Sequence, residues 1–405
     1  MPAPLNERLI LLLVGAVQFV NILDFMMVMP LGPDFSEALG IPLSDLGLVA
    51  GSYTAAAALS GIIASFFLDR FDRRLALAVA MSGLVIGTTF GGFAVDFRTM
   101  VAARVIAGTF GGPASSIAIA IVADVIPPER RGRAMGKVMG AFSVASVLGV
   151  PLGLEIARLG GWRLPFFSVA GMGAVVAVAA VRAMPPIRAH LDSPRPTVET
   201  TVRSLLGQPV VWLSLACTAS VTAAAFILFP SLTAWVQYNA HYPREHLGIL
   251  YMLGGGCSFF SMRLVGWLTD RLGGVVVALV ASVLFAANHL TAFFTAAPML
   301  PMTVVFVVMM VSNSSRNVVL NTMSSRVPAP AERARFLSLQ SAAQHSAAAL
   351  AAIASSLLLA ELPDHRLDGM ASVAAVSGVL ALMLPPLVAL VEARLRLRTS
   401  VGFGA

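Results

Sequence analysis

The chain has 405 residues, 58% of them apolar and only 12% charged, with a formal net charge of +7. A water-facing surface needs roughly a quarter of its residues charged, so this composition excludes an ordinary soluble protein. The basic residues recur in short groups between apolar runs instead of forming one patch, which argues against nucleic acid as the partner. Cys217 and Cys257 both lie in apolar stretches, so neither a disulfide framework nor a cysteine metal site is expected.

About 20 apolar residues cross a bilayer as a helix. In chain order the runs predict spans 1 to 6 near 9–31, 45–68, 75–94, 98–123, 134–157 and 163–182. Spans 7 to 12 follow near 210–236, 246–269, 275–294, 300–322, 334–360 and 370–391. Span 1 carries Asp24 and no small-residue cleavage site follows it, so it reads as a retained helix and not a signal peptide. The connection 183–209, with P-P-I-R and S-P-R-P-T, reads as a linker between an N-terminal bundle (1–182) and a C-terminal bundle (210–405).

Charge sets the expected orientation. With both termini in the cytoplasm, nineteen of the 27 Lys and Arg fall on the cytoplasmic side, five on the other and three within spans. That asymmetry is the positive-inside pattern. Short loops and the Arg/Ala bias point to a bacterial inner membrane.

The two halves repeat. L-D-R-F-D-R-R (68–74) after span 2 matches T-D-R-L-G-G (269–274) after span 8, with Asp69 and Asp270 201 residues apart. V-I-P-P-E-R-R-G-R (125–133) after span 4 matches V-P-A-P-A-E-R-A-R (327–335) after span 10, with Glu129 and Glu332 203 apart. Parallel repeats of this kind are a transporter plan, with the substrate site between the halves near mid-membrane.

On these motifs the chain resembles the major facilitator superfamily over essentially its full length. The loop signature is well formed in G-W-L-T-D-R-L-G (266–273); the first copy, S-F-F-L-D-R-F-D-R-R (65–74), has Ser65 and Asp72 where the family usually has glycine. A-A-R-V-I-A-G (102–108) resembles the span-4 motif with a buried arginine. Gly140, Gly149, Pro151 and Gly153 resemble the glycine-rich antiporter motif, although Val150 replaces the glycine before Pro151. L-D-F-M-M-V-M-P-L-G-P (23–33) is similar to twelve-span drug:proton antiporters and arabinose-efflux-like permeases. The resemblance implies an all-α membrane fold of twelve helices in two pseudo-symmetric six-helix bundles. It implies a latch at Asp69, Arg70, Arg73, Asp270 and Arg271, and a role in proton coupling for Arg104.

Individual residues sharpen the expectation. Asp24 stands mid-span, where a carboxylate is costly unless paired or protonated, and so marks a function by default. Desolvation favours the neutral acid and a nearby arginine favours the carboxylate, a balance suited to binding and releasing a proton. Arg104, always protonated, is the partner expected for it; the alternatives are a structural carboxylate locked to an arginine or to backbone for Asp24, and snorkelling or helix–helix hydrogen bonding for Arg104. Span 10 holds S-N-S-S-R-N-V-V-L-N (312–321), whose Asn313, Arg316 and Asn317 are expected to line a substrate cavity with Asn21 and Met27, or else to pack against another helix. Gly140, Gly149 and Gly153 allow close helix approach and Pro151 a kink, read equally as leak control or as ordinary packing. Arg263, Glu155 and His345 are weaker candidates.

The functions compete on few features. No G-x-x-x-x-G-K-[S/T] signature is present and Lys137 is the sole lysine, so ATP-driven transport is unsupported. No G-x-S-x-G elbow suggests an embedded hydrolase. The leading expectation is a secondary transporter, a proton-coupled antiporter exporting small amphipathic molecules by alternating access. It needs no cofactor beyond the proton gradient and works as a monomer. The alternatives are an importer or uniporter of a sugar or other metabolite, and a transport-inactive receptor or assembly factor.

Overall fold

A computed structural model describes residues 7–65, 68–188, 205–295, 298–328 and 333–401. Among these residues, eleven helices are long and apolar enough to cross a bilayer. Span 11 is a helix of ample length, Arg333–Leu358, made more polar than the others by Gln340, Gln344, His345 and several serines. In the first half the observed helices are Glu7–Met27, Leu46–Ser65, Arg73–Gly92, Phe97–Val125, Pro128–Gly160 with an inserted turn, and Arg163–Ala183. In the second half they begin with Pro209–Phe226, Leu247–Leu272, Gly274–Phe293 and Met302–Ser324, and end with Met370–Leu382 continued by Leu384–Val401.

Several edges depart from the expectation for visible reasons. Span 1 stops at Met27, and Gly32–Leu39 starts a separate short helix with a proline in its first turn. Span 5 contains a wide turn at Ala145–Gly149 in which the Val150 N–H reaches Ala145 C=O. Pro151, two residues after that turn, lacks an N–H and its ring would collide with the carbonyl four residues back; widening the turn relieves this. Between spans 11 and 12 lies a small antiparallel hairpin, Ala360–Glu361 against Leu367–Asp368. Asn239 fixes it by accepting from Leu367 N–H (2.9 Å) and donating to Leu367 C=O (3.0 Å). Gly369 follows at φ +88°, where a side chain would strike Leu358 C=O.

The chain divides into two compact units, Met1–Pro194 with Leu247–Met252 and Arg195–His246 with Leu253–Ala405. In the first, span 1 packs on spans 4, 5 and 6, and span 3 packs on spans 4 and 6. In the second, span 7 packs on spans 10, 11 and 12, and span 9 packs on spans 10 and 12. These helix pairings recur six spans apart, whereas the close packing of span 2 on span 4 has no equally close counterpart between spans 8 and 10, so the sequence repeat is in large part a packing repeat.

Candidate functional site

The first unit buries a charged network. Span 1 places Asp24 at 0% exposure, and span 4 brings Arg104, 1% exposed, against it. The guanidinium grips the carboxylate with both terminal nitrogens, Nη2 to Oδ2 at 2.8 Å and Nη1 to Oδ1 at 3.2 Å. From span 3, Thr88 Oγ1 lies 2.7 Å from Asp24 Oδ1 and 2.8 Å from Leu84 C=O. One hydroxyl proton serves one acceptor at a time, so Thr88 can donate to either. From span 2, the Tyr53 ring lies under Arg104, 4.7 Å from ring centroid to Cζ. The Tyr53 hydroxyl donates to Asn21 Oδ1 at 2.9 Å, and Asn21 Nδ2 donates to Gly111 C=O at 3.0 Å.

Glycine makes this approach possible. A side chain at Gly108 would run into the Tyr53 carbonyl, one at Gly111 into the Tyr53 hydroxyl and Asn21, and one at Gly112 into the Ala57 carbonyl. Spans 2 and 4 therefore meet backbone to backbone, which holds Tyr53 over Arg104. Two donors on a carboxylate from one guanidinium form the strongest common ion-pair geometry.

The other expected site residues divide. Asn21 is hydrogen-bonded within the charged network, and Met27 is buried against Gly153. Gly149 faces Leu23, 2.8 Å from where its Cβ would stand, so the span-5 glycines seat span 1 on either side of Asp24. Gly140 faces open space. In span 10, Arg316 is not brought together with the asparagines: it is fully buried over Phe285, whereas Asn313 and Asn317 are half-buried. Helical geometry explains the separation, since residues three and one positions away lie roughly 60° and 100° around the axis. Glu155 is exposed and pairs with Arg158.

Of the expected latch, the Asp69 side chain lies outside the described residues, Arg70 is exposed, and Asp270 and Arg271 are exposed at the end of span 8, Arg271 over Trp267 at 4.3 Å. Arg73 instead pairs with Asp124 at the end of span 4 (3.0 Å). Asp72 takes a role that sequence reading did not assign. It caps span 3 by accepting from Arg74 N–H (2.9 Å), and it accepts from Ile187 N–H (3.3 Å) and Arg188 Nε (2.8 Å) just past span 6. Burial pushes the Asp72 carboxyl up, but the hydrogen bonds from Arg188, Arg74 and Ile187 outweigh it and hold the group below the usual carboxylate range.

The sequence profile of the Major Facilitator Superfamily matches residues 14–352. The chain belongs to this superfamily. Its family and fold are those of membrane transporters. It is 26% identical over 307 residues, 76% of its own length and 77% of the relative's, to a chloramphenicol resistance protein of Streptomyces lividans. It is 24% identical over 245 residues to the inner membrane transport protein YdhP of Escherichia coli, an alignment spanning 60% of this chain and 62% of that one. In three dimensions it is similar to a bacterial homolog of the human lysosomal transporter Spinster in an inward-facing, occupied conformation. The TM-score is 0.73 at 18% identity, covering 97% of this chain and 98% of the other. It is also similar to the D-xylose-proton symporter (TM-score 0.71, 16% identity, 94% and 97% coverage). At these identities the structural likeness is one of fold alone.

Thr88, Tyr53 and the glycines of span 4 are the members of the site that sequence reading missed. A threonine or tyrosine in an apolar run is unremarkable by composition. The glycine run G-T-F-G-G (108–112) was the one signal pointing to a close helix crossing.

Proposed function

We propose that this transporter is a proton-coupled antiporter that exports small amphipathic molecules by alternating access, with Asp24 as the proton-binding group. The observation carrying this reading is the fully buried Asp24–Arg104 pair with Thr88 at its edge. As a carboxylate, Asp24 is balanced by Arg104 and accepts from Thr88. Once protonated, its O–H donates to Thr88 Oγ1, and the Thr88 proton turns to Leu84 C=O. Both protonation states thus keep every hydroxyl proton bonded, which lowers the cost of switching in a dry interior. Protonation removes the charge that holds Arg104, whose guanidinium keeps the Tyr53 face and seeks another acceptor.

Drug export is supported by the likeness, over 76% of the chain, to a protein named for chloramphenicol resistance. The driving force is the proton gradient, the working unit a monomer, and the location a bacterial inner membrane with both termini cytoplasmic. The latch at Asp69, Arg70, Arg73, Asp270 and Arg271 and a substrate cavity bordered by Asn313 and Asn317 belong to the same proposal.

The test is reconstitution into vesicles holding a pH dye, with lipophilic cations, antibiotics and sugars offered in turn to the native chain and to Asp24→Asn. Substrate-dependent proton movement that disappears in the variant is expected. Proton movement surviving in Asp24→Asn moves coupling to another group. Substrate flux without proton movement makes the protein a uniporter.

A further inference from the structure

The second unit contains a buried cation with no hydrogen-bond partner or paired carboxylate among the described residues. Arg316 on span 10 is 0% exposed, and its Nε, Nη1 and Nη2 all lack a hydrogen-bond partner among the described residues. Its Cζ stands 4.7 Å from the centroid of the Phe285 ring on span 9. Phe285 in turn meets the His289 ring at 4.2 Å. Ser282, Phe285 and His289 are all buried on one face of span 9, at positions three and four residues apart.

The polar groups around this ring are neutral. His289 Nε2 lies 3.1 Å from Ser377 Oγ, and the Ser377 hydroxyl donates to Ala224 C=O. Ser377 has therefore spent its proton, so the His289 Nε2–H donates to it. The Ser282 hydroxyl is buried without a partner among the described residues. Spans 7, 9, 10 and 11 contain no Asp or Glu; span 8 carries Asp270, exposed near its end, and the acidic residue of span 12 is Glu392, near its far end. A guanidinium with five N–H donors is thus left with an aromatic face and neutral dipoles. A ring face returns only a small part of the hydration lost on burying a full charge. Water would supply a lone pair but no negative charge.

We propose that the second unit binds a small inorganic monoanion, chloride in the cell, against the Arg316 guanidinium, with the Ser282 hydroxyl as a further donor. Chloride suits the site because it is spherical and accepts from N–H and O–H donors in any direction. It also suits the enclosure: the guanidinium nitrogens have no access to solvent, so the occupant is an ion taken up with the fold and not a bulky transported molecule.

The experiment follows thermal unfolding of the purified full chain in detergent micelles while sodium gluconate is replaced stepwise by sodium chloride at constant ionic strength. Holding ionic strength fixed keeps general screening unchanged. A ligand that binds only the folded form raises its stability saturably. The expected result is a saturable rise of about 2–4 °C, reproduced by bromide and absent in Arg316→Met, with Ser282→Ala shifting the midpoint to higher chloride. A native chain that unfolds at the same temperature in both salts overturns the proposal without any variant. A chloride response that persists in Arg316→Met overturns it as well, since the anion then sits elsewhere.

Discussion

Arg104 and Arg316 are equally removed from solvent, yet the two units treat them in opposite ways. In the first unit Arg104 meets a carboxylate on two nitrogens and a tyrosine face; in the second Arg316 meets a phenylalanine face and no acceptor among the described residues. The two arginines are not repeat equivalents. Arg104 lies 25 residues before Glu129, and Arg316 lies 16 before Glu332. Nine residues of helix rise are about 13 Å. At the 201-residue offset, Asp24 and Arg104 correspond to Ala225 and Val305. Duplication therefore kept most helix pairings while the buried charges were placed independently in each unit. That division suits a carrier in which one half handles the proton and the other does not.

The comparison breaks most visibly if the carboxylate is removed. Asp24→Ala leaves Arg104 buried without its counter-ion, and breaking a buried pair from one side costs about 3–5 kcal/mol. Unfolding in SDS mixed micelles should show a loss of that size, and Arg104→Met added to Asp24→Ala should restore most of it. A double variant no more stable than the single one would mean that Asp24 holds something besides Arg104.

Smaller changes sharpen the contrast. Thr88→Val keeps the shape but removes the donor to Asp24, and a hydrogen bond to a charged group contributes about 1.5–3 kcal/mol. On the proposed coupling through Asp24, the same variant should shift the pH dependence of transport, because the neutral acid loses its acceptor; an unchanged profile would remove Thr88 from the coupling scheme. In the second unit, Arg316→Met breaks no hydrogen bond seen in the structure. In gluconate it should leave stability unchanged or raise it. A loss of about 3 kcal/mol, as for a true buried pair, would show that a protein acceptor serves Arg316.

Much of the architecture was legible because membrane burial imposes long apolar runs and makes any charge within them conspicuous. Asp24 and Arg104 stood out for that reason, and the loop landmarks revealed the repeat. Thr88 and Tyr53 did not stand out, because a single hydroxyl in a helix satisfies itself on a backbone carbonyl and carries no sequence penalty. The surroundings of Arg316 stayed open between a cavity and a neighbouring helix because spacing fixes where residues lie around one helix but not which neighbour lies opposite. The hairpin at 360–368 is two residues per strand, too short for any alternation to register. Asp72 read as a defect in a glycine motif; one of its three hydrogen bonds is a local helix cap from Arg74, but the other two come from residues more than a hundred positions away, and nothing local announces those.

Asp72 provides the mildest test, a carboxylate near an aqueous end against the sealed one at Asp24. Its acceptor role ties the start of span 3 to residues 187 and 188 beyond span 6, and the Arg188 side chain is largely exposed. The ion pair is therefore screened, and Asp72→Asn, which retains an N-cap side chain, should cost less than about 1 kcal/mol. The sign of its pH dependence follows from a folded-state value held below the usual 3.8. Such a group binds protons more weakly when folded than when unfolded, so its contribution is complete above that usual value and is lost as pH falls through the depressed one. Amide exchange at Arg74 and Ile187, corrected for intrinsic rates, should stay protected down to about pH 4 and lose protection below it. In Asp72→Asn the same amides should show no acid step. An acid step of equal size in the variant would assign it to another carboxylate and leave Asp72 a simple helix cap.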